Sequence, residues 1–394
     1  MLGGDAGPGV RKAMEILTAL GSIYGARDLV PVQSVQVSGV SYKNLGDAGL
    51  EFLREWSAQG ARARVPATLN PAGMDRIAWA ELGFSAEFAE RQQSVIEAYR
   101  ALGLAPTCTC TPYLVGHLPK RGEHIAWAES SAVSYANSVL GARTNREGGP
   151  SALAAAITGR TPRYGLHLDE NRQPTLQVDV HCPIGTEADL GALGYLVGRA
   201  ANNGVPLFRF ERWQPQAPAL KMLGAAMAAS GAVALYHVAG FTPEAQDLAP
   251  AANGRDRLTI EDLDSAYDAL NGQAIEIDLV SIGCPHASLE ELAAVASFLG
   301  GRRVQAALWL TTARATRERA ELAGLVSRLE AAGARVVADT CMVVAPVSEL
   351  GFRSMATNSA KMALYAPSHS GLDVRFGSLQ QCLEAALAGH WVTR

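Results

Sequence analysis

Residues 275–300 read IEIDLVSIGCPHASLEELAAVASFLG. The run from Ile275 to Ile282 is apolar and rich in β-branched residues, which reads as a buried strand. Ser288, with Glu291 three residues on, forms a capping box and starts a helix that stops at Gly300. A strand closed by Cys284-Pro285-His286 and followed at once by a capped helix is the unit from which α/β proteins with parallel sheets are built. The alternation continues in both directions. VPVQSVQVSG (30–39), PTLQVDVHCPIG (174–185), GAVALYHVAG (231–240), RVQAALWLTT (303–312) and ARVVADTCMVV (334–344) read as strands, with helical patterns between them. EHIAWAESSAVSYANSVLG (123–141) reads as one helix ended by its glycine, and SLQQCLEAALAG (378–389) as an amphipathic one.

The chain has 394 residues, of which 48% are apolar, enough to bury a sizeable core in two or three subdomains. A division near residue 215 is expected, in RFERWQPQAPAL (209–220), giving an N-terminal α/β region 1–215 and a C-terminal one 216–394. The polar AANGRDR (251–257) is a second candidate break. A net charge of −4 with scattered basic residues argues against nucleic acid or an anionic membrane as partner, and favours a small molecule. The most apolar window, 220–240, contains Lys221 and His237 and breaks at Ser230-Gly231, so it reads as a helix followed by a buried strand. MLGGDAGPGV carries no export signal, which makes the cytoplasm the expected location.

The six cysteines do not suit a disulfide framework in a reducing compartment. Cys110, in APTCTCTPY (105–113), Cys284 and Cys341 all stand at the ends of extended runs. In open α/β sheets the carboxyl ends of strands meet at the ligand crevice, so thiols distant in sequence can converge there on a metal centre. Cys108 is expected to pack or to tune the site from beside a ligand, because alternate residues of an extended run share a sheet face and two ligands there would crowd. Cys382 is read as core, and Cys182 beside His181 as a weak candidate. No paired CxxC marks a structural zinc. A zinc- or cysteine-dependent hydrolase built on Cys284 and His286 is the competing reading, with His117 and His124 as other partners for a thiol nucleophile.

The densest polar stretch, 122–159, holds His124, Glu129, Ser130, Ser131, Asn145 and Arg146. Its RTNREGGPS segment (143–151) feeds a helix at Pro150, a pattern suited to a carboxylate or phosphate. No dinucleotide fingerprint or P-loop is present.

Several strings together, VSGVSYKNLGDAGLEFL, TLNPAGMD, CTCTPY, GEHIAWAESSAVSYANSVLGARTNREGGPSAL, SGAVALYHVAGFTPEA, IGCPHAS, ADTCMVVAP and TNSAKMALYAP, resemble the large catalytic subunit or domain of the aconitase X family. The resemblance spans nearly the whole chain. It implies an aconitase-like architecture of several α/β/α subdomains with mostly parallel sheets around a central cluster site. It also implies a hydro-lyase with an iron–sulfur cluster, [2Fe-2S], [3Fe-4S] or [4Fe-4S], on Cys110, Cys284 and Cys341. The implied reaction is dehydration of a small hydroxy acid. The expected substrate is cis-3-hydroxy-L-proline, giving Δ1-pyrroline-2-carboxylate, with mevalonate 5-phosphate as the alternative. Ser130, Ser131, Asn145 and Arg146 are expected to hold the substrate, and Lys361, Glu129 and His124 to move protons. Family members also carry a small swivelling domain with the catalytic serine. This chain stops soon after the helix at 378–389, so that serine is expected on a small partner subunit.

Overall fold

A computed structural model of the chain describes residues 1–246, 248 and 256–392. Most of the break expected at 251–257 therefore lies outside the described residues. The architecture is mixed α/β with mostly parallel sheets.

The sheets follow the chain. In the first unit, Val35–Val37 pairs in parallel with Ala67–Leu69 on one side and Ala126–Trp127 on the other. A small antiparallel pair, Leu29–Pro31 with Arg160–Pro162, closes it. In the second, Leu176–Val180 lies between Pro206–Phe210 and Asp256–Ile260, and His237–Val238 takes one edge. The helices Glu187–Ala201 and Ala217–Gly231 pack against each other in this unit, so residue 215 falls inside it, between strand Pro206–Phe210 and helix Ala217–Gly231.

The third unit is a five-stranded parallel sheet in the spatial order Ala334–Ala338, Ala307–Thr312, Leu279–Ala287, Ser354–Thr357, Asp373–Phe376. The chain runs outward from the central strand Leu279–Ala287 to one edge, then returns to build the other side. The carboxyl end of that central strand is therefore a topological switch point, where a crevice opens. Helix starts around it are well specified: Ser288 with Glu291 and Ser378 with Gln381 form complete capping boxes, and Ser359 accepts from Met362 N–H.

The stretch 123–141 departs from the single helix its pattern suggests. Ala126–Trp127 is a buried strand, the helix starts only at Ser130, and a π-helical turn, Ala136–Leu140, precedes Gly141 at φ 72°. Ile125 and Trp127 are apolar because they lie in the core, which mimics a helical stripe. Among the described residues no helix is long and apolar enough to cross a membrane.

Candidate active site

The central strand delivers Cys284 by breaking its own ladder. Ile282 pairs with Leu310, yet Ala287 already pairs with Thr312, so the segment from Gly283 to His286 bulges out of the sheet. Gly283 makes this bulge feasible: its φ is 101°, and a Cβ there would lie 2.1 Å from the Thr311 carbonyl oxygen. Cys341 follows strand Ala334–Ala338, its N–H bonded to Ala72 O at 3.0 Å. Cys110 comes from the first unit. Its neighbour Thr109 is tied by its N–H to Leu69 O (3.1 Å) and by its carbonyl to Gln36 Nε2 (2.9 Å). Three segments distant in sequence, a loop, a bulge and the turn after a strand, thus bring three thiols close enough to influence one another's ionisation.

These three are the half-buried cysteines; Cys108, Cys182 and Cys382 are buried, and all six are free. Burial pushes the Cys110 thiol well up, and nearby Glu129, Cys341 and Cys284 push it further, against one hydrogen bond from the His286 N–H (3.2 Å). Cys284 is pushed up to about 11, by burial first, with Lys361 pulling the other way. Cys341 is raised by burial and also feels Lys361 and Glu129. Thiols that disfavour one another's ionisation are relieved by a shared cation, and three of them suit an iron–sulfur cluster, which thiolates hold. Among the described residues no group of three or more His, Cys, Asp or Glu is gathered to hold a single metal ion. A multi-iron cluster is a larger body than one ion and is held by thiolates, the donor type that these three residues supply.

Beside the thiols sits a buried ion pair. Lys361 Nζ donates to Glu129 Oε1 at 2.6 Å and to Ser130 Oγ at 3.1 Å. The other oxygen of Glu129 accepts from Ser131 Oγ (2.5 Å) and Ala132 N–H (2.7 Å). Burial alone would raise the Glu129 carboxyl, but the ammonium and these donors outweigh it and leave it below the usual range. Burial likewise opposes the Lys361 charge, and Glu129 and the thiols overcome it, so the amine is held well above its usual range. Glu129 is the N-cap of helix Ser130–Tyr135 and Lys361 lies in the first turn of helix Ala360–Ser370, so two helix starts bring the pair together.

Other expected residues lie elsewhere. His124 Nδ1 meets His167 Nδ1 at 2.9 Å, and none of its described contacts reaches the thiols. Asn145 spends its amide on Tyr164 O (3.0 Å) and Leu166 N–H (2.8 Å), holding a turn. Arg146 is exposed and lines a cavity of about 440 Å³ with Tyr24, Tyr164 and Asn203, in which no cysteine takes part.

The hydrolase reading on Cys284 and His286 does not survive the geometry. The His286 ring is 1% exposed, with Nδ1 at 3.0 Å from Thr109 Oγ1 and Nε2 at 2.8 Å from Thr340 O, so neither nitrogen is available to a zinc ion or a nucleophile. Cys108 packs as expected, although for a different reason: its φ of 44° takes it out of the extended conformation and turns it into the first unit's core. Sequence reasoning missed Thr109, Thr340 and Ser359. The first two flank the candidate cysteines in CTCT and DTC, and that adjacency was the available signal.

Three neighbouring thiols and a buried lysine–glutamate pair beside the sheet's topological switch point are the kind of cluster found at α/β enzyme sites. The comparisons sharpen this. The aconitase X first, second and third domains match residues 1–170, 174–268 and 277–388. The phosphomevalonate dehydratase large subunit of Methanothermobacter thermautotrophicus is 55% identical over 95% of this chain and 93% of its own. The cis-3-hydroxy-L-proline dehydratase of Pseudomonas aeruginosa is 40% identical over 99% of this chain and 69% of its own. The crystal structure of Thermococcus kodakaraensis aconitase X in its holo-form superposes with a TM-score of 0.90 at 46% identity, covering 98% of this chain and 97% of that one. The chain belongs to the aconitase X family and is a hydro-lyase.

Proposed function

We propose that this chain is the large subunit of a two-subunit dehydratase that removes water from mevalonate 5-phosphate. The observation that carries this reading is the 55% identity, over nearly the full length of both chains, to a phosphomevalonate dehydratase large subunit. The hydroxyproline enzyme stands further off, at 40% identity and 69% of its own length. The phosphorylated substrate, first held as the alternative, therefore replaces cis-3-hydroxy-L-proline as the leading choice.

Cys110, Cys284 and Cys341 would hold an iron–sulfur cluster. When bound, such a centre supplies a Lewis acid for a departing hydroxyl. The chain's own residues do the rest of the work. Lys361 is a fixed cation facing the anionic substrate. Glu129, ionised and aimed by Ser131 and the Ala132 N–H, offers an oxygen that can take up or hold a proton. Ser130, bonded to Lys361, would contact a substrate hydroxyl or carboxylate. The small subunit is expected to bring the serine that takes the carbon-bound proton.

The test is to co-purify the chain anaerobically with a small subunit and assay both substrates. Water loss from mevalonate 5-phosphate, with none from cis-3-hydroxy-L-proline, is the expected result. The reverse preference would overturn the substrate assignment, and full turnover by the isolated chain would overturn the two-subunit one.

A further inference from the structure

His286 is excluded as a metal ligand and as a base, yet its ring is anchored at both nitrogens. The Thr340 carbonyl can only accept, so the 2.8 Å contact requires the proton on Nε2. The Thr109 hydroxyl accepts the Thr111 N–H at 3.1 Å and lies 3.0 Å from Nδ1, to which its own proton can point. The tautomer follows from its two partners. Thr109 immediately precedes Cys110, Thr340 immediately precedes Cys341, and His286 lies two residues after Cys284. One imidazole thus touches the flank of all three thiol-bearing segments. The same residue's N–H reaches Cys110 Sγ at 3.2 Å.

We propose that His286, locked as the Nε2–H tautomer between Thr109 and Thr340, is the positioning residue that sets the mutual placement of the three thiols and so governs retention and electronic character of the cluster. The inference rests on the iron–sulfur reading of the site. Without the ring, the bulge carrying Cys284 and the loops carrying Cys110 and Cys341 keep their own anchors but lose the tie between them. Turning the ring would orphan two buried polar atoms, so the wild-type arrangement has no low-cost alternative. A rigid ring with two rotatable bonds also holds the three segments at little entropic cost compared with a longer side chain.

The test uses the anaerobic holoenzyme and measures iron loss to a chelator together with the visible absorption and circular dichroism of the cluster. His286→Ala is expected to weaken iron retention about ten- to a hundredfold and to change the visible spectrum. Because that variant removes a buried ring, Thr109→Val serves as the gentler probe: it keeps the volume and deletes only the hydroxyl. Thr109→Val should move both readouts in the same direction, and Thr109→Ser should restore them. Wild-type retention and spectrum in both His286→Ala and Thr109→Val would overturn the proposal, as would a Thr109→Ser variant no better than Thr109→Val. A wild-type enzyme that holds no iron and sulfide after anaerobic reconstitution would instead sink the iron–sulfur reading itself.

Discussion

Two buried charge clusters stand close to the three thiols, and they are built on opposite plans. Arg314 meets Asp75 at 2.5 Å and Asp339 at 2.6 Å, and both aspartates are fully buried. Asp75 also accepts from the N–H groups of Ile77, Ala78 and Ala338, so its carboxylate is consumed by fixed donors. This cluster staples the first unit to the third, and Ala72 continues the staple by bonding Asp339 O and the Cys341 N–H. Glu129 and Lys361 are also largely removed from water, at 7% and 12% side-chain exposure, but among the described residues the ammonium's three donors meet two oxygens and its field falls on the thiols. The first cluster ties two units together, with Asp339 Oδ1 the one carboxylate oxygen in it that lacks a donor among the described residues. The second can hold structure and also act on something placed beside it.

Five variants separate these roles, from the largest effect to smaller ones. Cys110→Ser, Cys284→Ser or Cys341→Ser should each reduce dehydration to background and cut bound iron, read by elemental analysis of anaerobically purified protein. Near wild-type iron in any of the three would remove that thiol from the ligand set. Lys361→Met should lower the rate about 10²–10⁴-fold, in the range for loss of a positioned acid–base or charge group. It also strands a buried carboxylate, so a fall in stability of about 3–5 kcal/mol is expected with it. Arg314→Met should cost a similar amount of stability by stranding Asp75 and Asp339, while the holoenzyme that remains folded turns over within about threefold of wild type. A large loss of turnover per cluster in Arg314→Met would erase the contrast between the two sites.

The sequence carried the alternation of strands and capped helices plainly, because capping boxes such as Ser288/Glu291 and glycine stops are local chemistry that no tertiary contact had to supply. The short strands Ala67–Leu69 and Ser354–Thr357 went unread, since three or four residues give too little pattern to stand out. The nearness of Cys110, Cys284 and Cys341 was anticipated from the ends of extended runs, although Cys110 follows a loop and not a strand. Their partners were not: Arg314 finds Asp75 across 239 residues and Lys361 finds Glu129 across 232, and nothing in local pattern encodes such pairings. Asn145 and Arg146 illustrate the converse, a local pattern whose surroundings only the fold supplies. Their loop has the composition of an anion site, but the fold spends Asn145 on a turn and directs Arg146 into a different cavity.

The smallest effect is expected at Cys108, where the comparison narrows to two residues of one motif. Cys108 and Cys110 are separated by a single threonine, but the left-handed backbone at Cys108 sends its side chain into the core beside the first sheet, while Cys110 keeps a half-buried place facing Cys284 and Cys341. Burial holds the Cys108 thiol neutral, which suits packing and not ligation. Cys108→Ala should therefore leave iron content and the visible spectrum at wild-type values and cost about 1 kcal/mol of stability, the ordinary consequence of trimming a core side chain. Loss of iron in Cys108→Ala, with iron retained in Cys110→Ser, would show that the cluster takes the other thiol of the pair and that the bend at Cys108 opens in the holoenzyme.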